Sequence, residues 1–281
     1  MATSPPASFL GIPRELRLQI YEELQEQNLE CKVLKKWRGG HDSRGFYATP
    51  IRDPEARLII PWLSLLLSCR AIAAEMQSWI RNQAQAQGDD KHSTYIMETD
   101  LGGQESQDMG NVIWQRIPCA PTSAKVLLVH CYTDTRNSFW GDGGPLNIVR
   151  SMYQTLNLFL HCGPRLNPEK PLQDGHLHLR ELVIHMHLRQ GALRSTRADG
   201  STARRDAYTE MCGRISLILR HMGVLSGSFE RVRITDGEEE YEFLIDSSRP
   251  FDGVVSDHLK RYGFDWGVGG ARASKSGLMS L

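Results

Sequence analysis

The sequence predicts a mixed α/β fold, in which an N-terminal helical module is packed on a βαβαβ-type layer. Two observations support this class. Apolar residues before about residue 88 repeat at helical spacing, and from residue 94 onward short apolar strands alternate with amphipathic helices. Helical connections between successive strands favour a right-handed parallel unit. A loosely leucine-rich-repeat-like layer is an alternative form of this unit, although no repeat consensus is visible.

The chain is predicted to divide into four segments. Residues 1–8 are small, polar and proline-bearing, and we expect a disordered arm. Residues 9–88 form the helical module, interrupted by a basic connector at 32–60 whose glycines and prolines disfavour regular structure. Residues 94–262 form the α/β domain. The Gly/Ser-rich stretch 263–281 is expected to be a disordered tail.

The first helix of the module is predicted at residues 12–24. Pro13 suits its first turn, where a missing N–H costs nothing and a fixed φ is already helical. Leu16, Ile20 and Leu24 fall four apart, with Tyr21 beside them, so one face of the helix is apolar. The simplest role for these three side chains is the core between two helices.

A second, single helix is predicted at residues 62–83. Its apolar side chains from Trp62 to Ile80 recur at helical spacing, which makes a stripe wide enough to pack on the first helix and on the α/β domain as well. Cys69 lies within this run and is expected to be a small buried hydrophobe, because nothing nearby would activate its thiolate.

Six strands and three helices are predicted in the α/β domain, with the first two strands as a hairpin. The strands are 95–99, 112–117, 125–132, 179–188, 229–235 and 241–245. The helices are 147–161, 206–222 and a short one near 255–262.

Composition excludes several classes of function. Lysine plus arginine equals aspartate plus glutamate, at 33 each, so no global charge draws the chain to nucleic acid or an acidic membrane. The basic loop 189–205 lacks interleaved aromatic residues, so we expect no nucleic-acid binding. No apolar run approaches the roughly 18 residues of a membrane span, and the first residues do not resemble a secretory signal. The cysteines are widely spaced, as suits a reducing interior, so an intracellular protein, cytoplasmic or nuclear, is predicted.

Catalytic signatures are missing from the sequence. It has no nucleophile elbow, no H-E-x-x-H pair and no phosphate-binding loop, so we expect neither an enzyme nor a cofactor.

Two stretches of the helical module carry a family resemblance. The first is Ile12-Pro13-x-Glu15-Leu16-x-x-x-Ile20-Tyr21-x-x-Leu24, which resembles the opening of an F-box and, still more closely, the fungal F-box-like and two-E-x-R domain families. By this resemblance Glu15-Leu16-Arg17 would be an E-x-R element. The second is the run from Leu65 to Glu75, in which leucines lead into Cys69-Arg70 and then a glutamate, and which is similar to a second signature of these proteins. The two signatures stand about 40 residues apart, further than in a compact F-box.

The resemblance implies a non-catalytic adaptor. An F-box docks its helices on the adaptor subunit of a cullin-based ubiquitin ligase, while the rest of the chain captures a protein target whose identity the sequence does not give. The alternative is a self-contained interaction protein of the same family that does not dock on a ligase. The resemblance implies these partner-binding residues: Ile12, Pro13, Leu16, Ile20, Leu24, Leu66, Leu67 and Arg70.

A polar strip is predicted on the α/β domain. His185 and His187 share one face of a strand because residues two apart point the same way. Aligning the neighbouring strand by its apolar face places His130 and Tyr132 beside them, and Arg233 joins if the register holds. This strip is the candidate recognition face, with ordinary solvated histidines as the default. No cysteine or carboxylate at matching spacing completes a zinc ligand set, so we expect no metal.

Overall fold

The computed structural model describes most of the predicted elements. The described residues are 8–25, 29–31, 58, 60–86, 93–100, 112–118, 124–133, 147–167, 170–173, 175–188, 212–213, 215–216, 219 and 225–246. The predicted arm, most of the connector, the basic loop and the tail lie outside them, as does the predicted helix near 255–262. Within the described part, no helix has the length and apolar character that crossing a bilayer requires.

The described chain is a mixed α/β structure, which confirms the predicted class at this level. The helices are α1 (Arg14–Gln25), α2 (Pro61–Leu66), α3 (Arg70–Ala86) and α4 (Asn147–Cys162). The strands are β1 (Leu29–Cys31), β2 (Thr94–Asp100), β3 (Val112–Arg116), β4 (Val126–Thr133), β5 (Glu181–Leu188), β6 (Arg231–Thr235) and β7 (Glu240–Leu244). The described residues between 212 and 219 are helical, within the predicted helix 206–222.

The strands form one seven-stranded sheet in the order β1-β3-β2-β4-β5-β6-β7. Strands β4, β5 and β6 pair in parallel, as the alternation of strands and helices predicts, and β2 joins β4 in parallel as well. The hairpin of β2 and β3 is antiparallel, as predicted, and the edge strands β1 and β7 are also antiparallel to their neighbours. Four parallel strands therefore form the centre of a mixed sheet.

Helix α4 packs against one face of the sheet through an aromatic cluster. The ring of Phe159 lies 5.0 Å from that of Tyr95 on β2 and 5.4 Å from that of Trp114 on β3, centroid to centroid. Trp114 also donates its indole N–H to the carbonyl oxygen of Pro164 at 3.0 Å. The sequence places the apolar residues of α4 on one side, but Ser151 is buried too, as are most described side chains around the helix. A helix buried on most of its circumference belongs to the interior of a fold.

The prediction of a single helix over 62–83 is wrong, because the helix is interrupted between α2 and α3. The hydroxyl of Ser68 donates to the carbonyl oxygen of Leu65 at 2.7 Å, and the amide of Ser68 donates to the same oxygen at 3.1 Å. A serine that bonds its own preceding turn competes with continuation of the helix. The next helix begins with the carbonyl of Cys69, which accepts from the amide of Ala73. Cys69 itself is exposed, contrary to the burial predicted for it.

Helix α1 buries the Tyr21 side of its apolar face and leaves the first leucine of the predicted stripe exposed. Tyr21 is fully buried, whereas Leu16 is 48% exposed. The ring of Tyr21 lies 6.1 Å from that of Phe9 and 6.0 Å from that of Trp79 on α3. Tyr21 and Trp79 belong to the same hydrophobic cluster as the sheet residues. The aromatic side of α1 therefore forms the core contact, and the leucine at its start does not.

Strand β1 is an element that the sequence does not predict. Leu29 pairs with Trp114 and Cys31 with Val112, so three residues that follow α1 form the edge of the sheet beside β3. The helical region thus contributes a strand to the α/β sheet.

The aromatic cluster gives a stability prediction. Phe159→Ala removes a fully buried ring that contacts both Tyr95 and Trp114, so the free energy of unfolding should fall by about 3–5 kcal/mol. Tyr241→Ala is the control, because this ring is 44% exposed, and it should change stability by less than about 1 kcal/mol. Urea unfolding followed by circular dichroism measures both; equal losses would contradict the packing described.

Candidate functional site

The polar strip predicted on the sheet is present on the face opposite the helix α4. On β4 the side chains alternate, with Val129 and Cys131 buried and His130 and Tyr132 half-buried. Strand β5 alternates in the same way, with Ile184 and Met186 buried and His185 and His187 half-buried. Because successive side chains of a strand point to opposite faces, one face of the sheet is apolar and the other is polar.

The parallel register aligns these polar side chains in rows. His130 is the Cα partner of His185, and Tyr132 is the partner of His187. Across the other edge of β4, Glu98 of β2 stands opposite His130. The predicted association of His130, Tyr132, His185 and His187 is therefore a feature of the structure.

The three imidazoles lie within direct contact of one another. Nδ1 of His130 is 3.0 Å from Nε2 of His187, and the rings of His185 and His187 are 4.4 Å apart. The Tyr132 ring stacks on that of His187 at 4.6 Å with an interplanar angle of 15°. One ligand nitrogen from each histidine can be chosen so that all three lie within 4.8 Å of one another. We call His130, His185 and His187 the histidine cluster.

The turn between β6 and β7 closes one side of the histidine cluster. Gly237 lies in this turn with φ of 93°, a conformation that glycine adopts without strain, and a Cβ there would lie 3.6 Å from Nε2 of His185. On the other side the carboxylate of Glu98 accepts a hydrogen bond from Nε2 of Gln115 at 2.8 Å. The cluster is therefore flanked by a close backbone approach and by a fixed negative charge.

Burial lowers the pKa of two members of the cluster. The pKa of His130 is lowered by burial first and then by the neighbouring His187 and His185, while Glu98 opposes the shift. The pKa of His187 is lowered by burial first and then by His185, and here too Glu98 acts in the opposite direction. At neutral pH these rings are uncharged, so one can donate the 3.0 Å hydrogen bond and the other can accept it.

Arg233 lies on the same face but takes part in a different group. Its guanidinium donates to Glu181 at 2.5 Å and lies 3.7 Å from the carboxylate of Glu240. Arg231 also donates to Glu181, at 3.1 Å, and this carboxylate is only 5% exposed. Arg233 is thus held in an ion-pair network, apart from the imidazoles, and the predicted strip divides into two groups.

The second candidate surface is the helical one, where α1 is fastened to α3. Nη2 of Arg17 lies 2.6 Å from a carboxylate oxygen of Glu75, with the two side chains 12% and 14% exposed. Arg17 also donates to the backbone carbonyls of Leu10 and Ile12, which precede α1. The hydrogen bond from Arg17 to Glu75 raises the pKa of Arg17 above its ordinary value. Neither residue is among the partner-binding residues that the resemblance implies.

All eight predicted partner-binding residues are at least partly exposed. Leu16 is 48% exposed and Leu67 is 78% exposed. Pro13 and Arg70 are exposed as well, and the remaining four are half-buried: Ile12, Ile20, Leu24 and Leu66. The expectation that Leu16 forms the core between two helices is therefore wrong, since Tyr21 has that role.

The histidine cluster can be predicted from the sequence. The residue that joins His185 and His187 of β5 is neither a cysteine nor a carboxylate but a third histidine, His130, on the adjacent strand. Aligning the apolar faces of β4 and β5 already places it on the side of His185 and His187. The sequence does not predict Glu98 beside the cluster, because β2 joins β4 in parallel across the hairpin, a strand order that local patterns do not encode.

The lowered pKa values predict a pH dependence of stability. As pH falls below about 6.5, the unfolded histidines take up protons before His130 and His187 do, so the free energy of unfolding should fall with pH until these two also titrate. Denaturant midpoints between about pH 7.5 and about pH 5.5 measure the slope. The double variant His130→Phe/His187→Phe should flatten it; an unchanged slope would contradict the assignment. Burial also lowers the pKa of His161, so a smaller dependence of stability on pH should remain in the double variant.

Comparisons with known proteins neither support nor contradict the family resemblance. No family model matches the chain, no curated protein matches it, and no solved structure matches it. The likeness of the two helical signatures to F-box-like and two-E-x-R domain families therefore supports a proposal and no more.

Proposed function

We propose that the chain is a non-catalytic, F-box-like adaptor that docks on the adaptor subunit of a cullin-based ubiquitin ligase and brings a protein target to it. In this proposal the helical region is an F-box-like module, and the sheet, loosely like a leucine-rich-repeat layer, carries the target-binding face. The proposed site of action is intracellular, in the cytoplasm or the nucleus.

The observation that carries the proposal is the ion pair of Arg17 and Glu75. Arg17 belongs to the first of the two stretches that resemble the family, and Glu75 ends the second. Their contact at 2.6 Å, largely shielded from water, joins two residues that are 58 positions apart in the chain and makes a physical unit of the two stretches. Two signatures that contact each other through their own charged residues are better explained as one module than as a chance pair of matches.

The exposure of apolar side chains on the same elements supports docking. Leu16 on α1 and Leu67, directly after α2, leave 48% and 78% of their surface in contact with solvent. In this proposal both side chains are available to enter a partner's groove, as the apolar anchors of a helix laid into a groove do. Arg17 and Tyr21 hold α1 in place from its other side, so docking through Leu16 would need no rearrangement of the core.

One observation favours the alternative, a self-contained interaction protein that does not dock on a ligase. Tyr21, Trp62, Met76 and Trp79 are buried in the same hydrophobic cluster as the sheet residues. The helices thus complete the core of the described chain as well as offering a surface. In the alternative their role ends there, and only the sheet face binds a partner.

Aspartate substitutions at the exposed leucines test the proposal. The tag-free full-length protein should co-purify with the ligase adaptor subunit, and Leu16→Asp/Leu67→Asp should reduce the recovered complex by about tenfold or more, because each change puts a charge into an apolar contact. Both positions are exposed, so the thermal midpoint should change little.

Leu244→Asp is the matched control, since this leucine of β7 is 71% exposed and lies at the opposite edge of the sheet from β1. It should co-purify like the unaltered chain. Failure of the well-folded unaltered chain to bind the adaptor subunit refutes docking and leaves the self-contained alternative; equal losses in the control and the double variant would show that the contact is not made through Leu16 and Leu67.

A further inference from the structure

We propose that His130, His185 and His187 bind a divalent transition-metal ion of the zinc class. Such a site is independent of docking on a ligase, since it involves only the polar face of the sheet. It also departs from the expectation of no metal, because the third imidazole comes from a neighbouring strand.

The chemistry of the three side chains selects the ion. Neutral imidazole nitrogen binds Zn²⁺, Cu²⁺ and Ni²⁺ well, whereas Mg²⁺ and Ca²⁺ prefer carboxylate, carbonyl and water oxygens. Three histidines with no fourth protein ligand are one of the donor sets in which zinc keeps an open position. We therefore assign the site to Zn²⁺, with water or a small anion at the remaining position.

The spacing of the nitrogens fits this ion after small side-chain rotations. Tetrahedral zinc with bonds of about 2.0–2.1 Å places two ligand nitrogens about 3.3–3.4 Å apart. Nδ1 of His130 and Nε2 of His187 are 3.0 Å apart, and the three candidate atoms all lie within 4.8 Å. The second torsion of a histidine side chain is broad, so rings on a fixed backbone can make adjustments of this size.

The backbone that carries the ligands is part of the centre of the sheet. His185 and His187 are two apart on β5, and His130 is the in-register partner of His185 on β4. Both strands have neighbours on each side, and their opposite face is buried, as Val129 and Ile184 show. A site on such strands is held more firmly than one on a loop.

The surroundings also suit a cation. Glu98, opposite His130 on β2, supplies a negative charge that offsets part of the two positive charges of the ion. The Tyr132 ring stacks on that of His187 at 4.6 Å and limits how the ligand can turn. Groups of this kind, which orient and balance the ligands without binding the metal, are a regular part of zinc sites.

The competing explanation is a hydrogen-bonded pair of neutral histidines with no ligand at all. It accounts for the 3.0 Å contact between His130 and His187. It assigns no role to His185, although the ring of His185 lies 4.4 Å from that of His187 and 5.5 Å from that of His130. Metal binding uses all three rings, so the two explanations differ in what the full-length chain does with zinc.

Metal titration of the tag-free, chelator-treated full-length chain tests the proposal. We expect one Zn²⁺ per chain by calorimetry and by elemental analysis after gel filtration, a rise of several degrees in the thermal midpoint with Zn²⁺, and no rise with Mg²⁺. Co²⁺ should give the visible absorption of a four-coordinate site, displaced by Zn²⁺. His185→Phe and His187→Phe should each abolish the tight site, and phenylalanine at 187 retains an aromatic ring to stack on Tyr132.

The chain offers a matched control in another histidine pair. The rings of His176 and His178 are also 4.4 Å apart, outside the cluster, and His176→Phe/His178→Phe should bind Zn²⁺ as the unaltered chain does. Circular dichroism confirms that each variant is folded. The proposal is overturned if the unaltered chain binds no Zn²⁺, if folded His185→Phe and His187→Phe variants still bind it tightly, or if only the control pair abolishes binding.

Discussion

The in-register parallel pairing of β4 with β5 is the constraint on which both faces of the sheet depend. Each residue of β4 from Val126 to Thr133 has a fixed partner on β5, beginning with Glu181 and ending with Leu188. A shift by one residue would exchange the faces, moving His130 into the core and Val129 into the polar row. The buried row Val129 and Ile184 resists this shift, since uncovering it would expose apolar surface to water. Hydrophobic burial on one side of the sheet therefore fixes polar chemistry on the other.

This coupling explains why the strip could be predicted from the sequence and why its division could not. Period-two alternation, read on each strand alone, places His130, Tyr132, His185 and His187 on one side. The position of Arg233 along that side depends on its partners instead. It stands opposite Val183 and pairs with the buried Glu181, a carboxylate that requires compensation and that single-strand patterns do not connect with β6. Long-range ion pairs of this kind are determined by the strand order, which the sequence shows only in part.

In the helical region, too, sequence patterns do not show which side chains contact each other in the fold. Spacing predicts that α1 exists and that its apolar face includes Tyr21, but it does not show that Tyr21 is buried while Leu16 is left exposed. Tyr21 occupies the core position because its ring can contact both Phe9 and Trp79. A large aromatic side chain buries more area than a leucine, and a nearby arginine paired with Glu75 holds the helix in that rotation. The break at Ser68 has a similar origin, because a side chain bonded to its own backbone overrides apolar periodicity.

The helical surface and the histidine cluster also differ in how selectively they can bind a ligand. Leu16 and Leu67 are exposed apolar side chains, which would gain free energy from any apolar cover, so their exposure does not specify a partner. The histidine cluster is more selective. Imidazole nitrogens held on three positions of two paired strands discriminate between ions by charge, softness and geometry. If a metal ion occupies the cluster, the candidate recognition face carries a positive charge at the cluster, whereas Arg231 and Arg233 are already paired with carboxylates. A target that binds there would then present an acidic or metal-ligating group, and this face would select its partner by electrostatic complementarity more than by apolar area.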